Sequence, residues 1–137
     1  MDNRLFFLLN MAQKKLFRHM DQVCERELDA SVTQLAALMV IAKREGCQQK
    51  DLAAALQLNK SAVTGLVSRM EKNGLLLRAV PKDDARAVVL SVTPGGLEKI
   101  NSLKPLIGLL NEQFQQEFSE EELQTILRFL NFIMARF

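Results

Sequence analysis

Tryptophan and tyrosine are absent from this 137-residue chain, which also has only one histidine and two cysteines. Without those rings, no tyrosine or tryptophan marks an aromatic binding site. With His19, Cys24 and Cys47 as the only imidazole and thiols, no metal-ligand spacing exists, and a Cys–His catalytic pair would rest on His19 alone. A nucleotide-binding loop and a plausible acid–base pair are also missing. An enzyme is therefore not expected, and neither a cofactor nor a metal is implied. Two cysteines so far apart do not make a disulfide scaffold, so a reducing cytoplasm is the expected compartment. No apolar run approaches a membrane span. No signal peptide is expected, because Leu5 to Leu9 is short and Lys14, Lys15 and Arg18 follow it rather than precede it.

What is present is ordinary in amount and uneven in placement. Apolar residues make up 48% and charged residues 25%, the composition of a globular chain long enough to bury a core as one domain. The net charge of +2 is too small to name a partner. From Lys60 to Arg86, however, six basic residues face three acidic ones, whereas from Glu112 onward five glutamates face two arginines. The basic excess thus sits in one central stretch, where a polyanion would need it.

That stretch, Gln48 to Thr93, reads as two short helices, a tight turn, and two strands joined by a charged loop. Before it, residues 4 to about 28 carry Leu5, Leu8, Leu9, Ala12, Leu16, Met20 and Val23 at helical spacing, widened by Phe6, Phe7, Met11 and Phe17. So wide a stripe suits a helix shared with a second subunit. Ser31 and Gln34 form a capping box that opens a second helix, and Gly46 follows its end. The third helix is expected from Lys50 to Leu56, with Leu52, Ala53 and Leu56 inward and alanines 53 to 55 suited to a close helix neighbour. Asn59 caps the fourth helix after the turn Gln57-Leu58-Asn59, and Asn73-Gly74 stops it. Its inward residues are Val63, Leu66, Val67 and Met70. Its outward side holds Lys60, Ser61, Ala62, Thr64, Gly65, Ser68, Arg69 and Lys72.

Leu75 to Val80 and Ala87 to Val92 read as strands around the tip Pro81-Lys82-Asp83-Asp84-Ala85-Arg86. Thr93-Pro94 opens a fifth helix to about Phe118, with a bend or break expected near Leu103 because of Pro105 and Gly108. Ser119 and Glu122 box the start of a last helix carrying Leu123, Ile126, Leu127, Leu130, Ile133, Met134 and Phe137 on one side. The expected fold is mainly α with a small β-hairpin wing. A winged helix-turn-helix lobe (31–93) joins a helical dimerisation region (1–30 and 94–137) within one domain.

Asp51-Leu52-Ala53 through Leu56, Arg69-Met70-Glu71-Lys72-Asn73-Gly74-Leu75, Asp84-Ala85-Arg86 and Leu90-Ser91-Val92-Thr93-Pro94-Gly95-Gly96 together resemble the MarR family of bacterial transcriptional regulators. The resemblance implies a homodimer in which the first, fifth and sixth helices interlock. It implies palindromic double-stranded DNA as partner, repression as the usual outcome, and release by a small, often aromatic and anionic effector. Two residues depart from the family's pattern. Gln57 stands where glycine is common, and Gly65 where a larger polar or basic side chain is common.

The residues expected at DNA are Lys60, Ser61, Ala62, Thr64, Gly65, Ser68, Arg69 and Lys72 on the helix, and Lys82 and Arg86 on the wing. Arg86 would enter a narrow minor groove. Asp84 is expected to structure the wing by pairing with Arg86 or Arg69, while Arg78 reads equally as structural or as a further DNA contact. An effector pocket is placed near His19, Met20 and Met39. Cys47 reads as a small buried hydrophobe. Acidic neighbours blunt Cys24, whose position also fits the family's thiol sensors poorly. Two alternatives remain: a thiol-based redox regulator of the same fold, and a winged-helix protein-interaction module without specific DNA binding.

Overall fold

The structure is a computed structural model that describes residues 3–84 and 86–137. Among the described residues six helices and one hairpin follow in the order α1 (Leu5–Leu28), α2 (Val32–Lys43), α3 (Gln49–Leu56), α4 (Lys60–Lys72), β1 (Leu76–Ala79), β2 (Val89–Val92), α5 (Pro94–Glu117) and α6 (Glu120–Arg136). The chain divides into two compact units, one reaching to Leu103 and one spanning Lys104–Phe137.

The first unit is built around α2, whose Leu35, Ala37, Leu38 and Ile41 are all buried. The expected capping box starts this helix: the Ser31 hydroxyl accepts from the Gln34 N–H and the Gln34 side chain accepts from the Ser31 N–H. Asp21 of α1 adds a second anchor by accepting from the Val32 N–H at 2.8 Å, and a carboxylate is favoured at a helix N-terminus. The helix ends at Lys43. Gly46 lies two residues past the cap Arg44, with φ +84°, and its N–H donates to the Leu90 carbonyl. Cys47 next to it forms an isolated bridge with Leu90 and is buried, as its reading as a small hydrophobe required.

Only the C-terminal part of α1, at Met20, Cys24 and Leu28, is buried in this unit. The Lys99 ammonium of α5 donates to the Leu28 carbonyl at the end of α1, a favourable place for a cation. Leu5, Phe6, Phe7, Leu8 and Met11 remain exposed.

The hairpin pairs Leu76 with Val92, Leu77 with Ser91, Arg78 with Leu90 and Ala79 with Val89. The strands are shorter than the apolar runs suggested, because pairing stops at Ala79 and Val89 and leaves 80–88 as the tip. Leu76 and Leu90 are fully buried, and by the two-residue period of a strand Arg78 shares their face.

Close packing joins the hairpin to α5. A Cβ on Gly96 would lie 2.3 Å from the Leu75 carbonyl oxygen, so only glycine fits there without movement. The Thr93 hydroxyl accepts from the Gly96 N–H, as a cap should, and donates to the Gly74 carbonyl at 2.6 Å. Of the bend or break expected in α5 near Leu103, the break does not occur, for the helix runs through Pro105. One lost backbone hydrogen bond does not end a helix with several turns on each side.

In the second unit, α6 begins at the Ser119–Glu122 capping box, and Glu122 is held below the usual carboxylate range by the Ser119 N–H and hydroxyl. No α6 residue is buried, and Ile126, Leu127, Leu130, Phe132 and Met134 lie exposed along it.

Candidate nucleic-acid interface

The helix-turn-helix is set by three local devices. Asp51 accepts from the Gln48 N–H at 2.9 Å and fixes the start of α3 one residue earlier than expected. Gln57 ends α3 in the left-handed conformation, with φ 55° and ψ 43°. This is the conformation for which glycine is the cheaper residue. Asn59 then caps α4 by accepting from the Ala62 N–H at 2.7 Å. Between the helices Leu52 is fully buried and Ala53 half-buried. Ala54 and Ala55 are exposed, which corrects the expectation that all three alanines face a helix neighbour.

The two sides of α4 separate cleanly. Val63, Leu66, Val67 and Met70 are buried, at 3% exposure or less. Lys60, Ser61, Ala62, Thr64, Ser68, Arg69 and Lys72 are exposed, and Gly65 is half-buried. The Arg69 side chain folds back along the helix, so that its Nη1 lies 3.2 Å from where a Gly65 Cβ would sit. The bare backbone at Gly65 is therefore the floor on which Arg69 rests.

Arg78 is the residue the sequence reading underweighted. Its Nε donates to Glu71 Oε1 at 3.2 Å, its Nη2 to the Ser68 hydroxyl at 3.3 Å and its Nη1 to Gln49 Oε1 at 3.5 Å. Gln49 Nε2 in turn donates to Thr64 Oγ1 at 3.4 Å, and that hydroxyl donates to the Lys60 carbonyl at 2.8 Å. One guanidinium thus ties β1 to α3 and α4 behind the exposed face of α4. The available signal was strand period: Arg78 lies two residues after buried Leu76 and so leaves the strand on the helix side.

At the tip of the hairpin Lys82, Asp84 and Arg86 are exposed. Asp84 does organise the loop, but through backbone. Its carboxylate accepts from the Arg86 N–H at 3.0 Å, its N–H donates to Pro81 and its carbonyl accepts from Ala87. The expected partner was an arginine side chain. An aspartate reaching the backbone two residues on is the commoner turn device. Ala85 of the Asp84-Ala85-Arg86 motif lies outside the described residues.

The other candidate residues are not arranged as a site. His19 and Met39 are exposed and Met20 is in the core. A shallow depression on α6 is lined by Gln124, Leu127, Arg128, Asn131 and Phe132, none of them among the three. Cys24 is inaccessible, and its thiol is pushed up by burial first and by Asp21 and Glu25 second. Burial also pushes up Cys47, with Asp51 adding to it and Arg44 opposing. Among the described residues no helix is long and apolar enough to cross a membrane.

The model of the MarR family matches residues 30–88, which span the end of the α1–α2 link, the helix-turn-helix and most of the wing. Over that stretch the chain matches the MarR family. Among similar proteins of that kind, the HTH-type transcriptional regulator SarZ of Staphylococcus haemolyticus is 23% identical over 137 residues, covering 98% of this chain and 90% of SarZ. The homoprotocatechuate degradative operon repressor of Escherichia coli is 28% identical over 96 residues, which are 70% of this chain and 65% of the repressor. The fold matches MepR of S. aureus, solved as a MepR–DNA complex, at a TM-score of 0.84 and 22% identity, covering 99% of this chain and 100% of that one. The candidate interface within this MarR-like stretch is the exposed side of α4 with the wing tip, next to which Arg78 bonds Gln49 and Glu71.

Proposed function

We propose that this protein is a homodimeric, sequence-specific double-stranded DNA-binding transcriptional repressor, released from a palindromic operator by a small aromatic or anionic effector. The observation that carries the reading is the division of α4, with four apolar residues in the core and Ser61, Thr64, Ser68, Arg69 and Lys72 presented to solvent. Small hydrogen-bonding groups followed by cations suit a helix in a major groove. Lys82 and Arg86 on the tip extend the basic surface toward a neighbouring minor groove. Support for DNA as partner comes from MepR, solved with DNA, and support for repression from the E. coli relative named as a repressor.

Two copies are favoured by the apolar surface on α1 and α6. Phe6, Phe7 and Met11 are each more than 60% exposed, and Phe132 and Met134 similarly lack cover. Large apolar side chains left uncovered on each of these two helices suit cover by a second copy. A two-fold dimer would present two α4 helices to grooves about 34–36 Å apart, hence a palindrome. Release by an effector rests on the family resemblance, and the cytoplasm is the compartment in which such a regulator meets DNA. The buried, raised thiols of Cys24 and Cys47 do not favour the redox reading.

Selection of bound sequences from a random double-stranded pool tests the proposal. A palindromic consensus is expected, bound with an affinity that falls steeply with salt. On that site Arg86→Ala should weaken binding strongly without unfolding the protein, and Glu120→Gln should have little effect. Unchanged affinity of Arg86→Ala at moderate salt would remove the wing from the interface. A flat salt dependence with no enriched sequence would leave a protein-interaction module as the better reading.

A further inference from the structure

We infer that Thr64 reads a thymine methyl group through its own methyl, and does not read a base edge through its hydroxyl. The inference rests on the DNA-binding reading above and adds to it one atom-level contact.

The argument begins at Arg78, which can only donate hydrogen bonds. Because Arg78 Nη1 faces the Gln49 side chain, the amide oxygen of Gln49 must point toward Arg78. The amide nitrogen is then turned to Thr64, and Nε2 has only protons to offer. Thr64 Oγ1 must therefore accept. Its own proton goes to the Lys60 carbonyl at 2.8 Å, the shortest contact in the chain of bonds.

A threonine hydroxyl has one proton and two lone pairs. At Thr64 the proton and one lone pair are engaged within the protein. The hydroxyl cannot donate to guanine O6 or N7, adenine N7 or thymine O4. Thr64 is nevertheless exposed, in the first turns of α4 beside exposed Ser61 and Ser68. What it can still offer a base is one hydroxyl lone pair and the methyl, and of these the methyl is the group we assign as the reader. In the major groove the base feature that complements a methyl is the thymine C5-methyl. Ser68 is engaged differently: it accepts from Arg78 and keeps its proton, so it remains able to donate to a base.

The experiment replaces thymines by deoxyuridine, one symmetric pair at a time, in the operator recovered from the random pool. Deoxyuridine lacks only the C5-methyl. The natural protein, Thr64→Val and Thr64→Ser are titrated against each duplex. At one thymine position the natural protein should lose about fourfold affinity per half-site, the worth of one buried methyl group. Thr64→Val, which keeps a methyl and removes the hydroxyl, should show the same loss. Thr64→Ser, which keeps the hydroxyl and removes the methyl, should bind the thymine and deoxyuridine duplexes equally.

The proposal is overturned if no thymine position shows a loss that Thr64→Ser abolishes. It is also overturned if Thr64→Val loses affinity for the natural operator while Thr64→Ser retains it, since the free lone pair would then be the reader. Failure of the underlying reading looks different, because the natural protein would then recover no operator from the pool.

Discussion

Replacing Gly96 by alanine is the sharpest test of how the DNA-binding elements are joined to α5. The new Cβ would stand 2.3 Å from the Leu75 carbonyl oxygen and 2.7 Å from Val92 Cγ1, with Leu38 Cδ2 at 3.2 Å. The oxygen is backbone at the start of β1 and cannot swing away. Relief requires the first turn of α5 to lift, and three hydrogen bonds stand in its path. These are Thr93 N–H to Leu75 O at 3.2 Å, Thr93 Oγ1 to Gly74 O at 2.6 Å and Gly96 N–H to Thr93 Oγ1 at 3.0 Å. Each contributes about 0.5–1.5 kcal/mol net, so losing two of them costs about 2 kcal/mol. An unrelaxed clash would cost about 1–3 kcal/mol instead, as an alternative and not an addition. Alanine in a helix returns at most about 1 kcal/mol.

A net loss of about 1.5 kcal/mol is therefore expected for Gly96→Ala, lowering the urea midpoint by about 1 M at a slope typical of small proteins. Gly95→Ala is the matched control. Its Cβ would meet only the Gly74 oxygen at 3.5 Å and Thr93 Oγ1 at 3.7 Å, ordinary contacts, so the variant should be neutral or slightly stabilised. Far-UV circular dichroism is the appropriate probe for a chain without tryptophan or tyrosine. Protein concentration is held fixed because the midpoint of the proposed dimer would depend on it. Equal midpoints for the two variants would refute the close-approach argument.

Gln57→Gly should stabilise the protein by about 0.5–1 kcal/mol, because the left-handed backbone at φ 55° strains glutamine and not glycine. A lowered urea midpoint would contradict this. Arg78→Ala should leave the salt slope of DNA binding unchanged while reducing discrimination between operator and mutated sites. A slope smaller by about 0.9 would mean that Arg78 touches a phosphate. Its effect on stability should stay below about 1 kcal/mol, since Glu71 and Arg78 are 40% and 32% exposed and solvent screens the pair. For the thiols, both folded pKa values are raised, so the stability they give is complete below the unfolded thiol pKa of about 8.5 and is lost as pH rises through it toward the folded values. The urea midpoint should fall between pH 8 and pH 10, and less steeply when Cys24 and Cys47 are both alanine. Identical pH slopes would remove the thiols as the cause.

What could be read from the sequence was what acts over three or four residues. The boxes at Ser31–Gln34 and Ser119–Glu122, the cap at Asn59, the stop at Asn73-Gly74 and the Thr93-Pro94 start all lie where their side chains dictate, because cap and capped group are neighbours in the chain. The buried side of α4 followed from helical period for the same reason. What could not be read depends on contacts across the fold. Arg78 meets Gln49 from 29 positions away, and Asp21 caps a helix 11 positions on. Small size alone did not say which side of α3 Ala54 and Ala55 would take, and they are exposed. Pro105 carries a real local cost in a helix, but the turns on both sides of it outweigh that cost.

The charge of the α4 face depends on the same non-local residue. Glu71 is the only acid between Lys60 and Lys82, and it lies on α4 beside Lys72 and two residues from Arg69. Left alone, it would draw either cation into a surface pair and lower the positive potential that a phosphate meets. Arg78 takes that carboxylate from the strand side at 3.2 Å. Among the described residues neither Arg69 nor Lys72 is in an ion pair, and Arg69 rests instead over the bare backbone of Gly65. Gly65, which departs from the family's larger side chain, and Arg78 on the neighbouring strand therefore serve one end. Gly65 gives Arg69 a place to lie, and Arg78 removes the acid that would otherwise hold it.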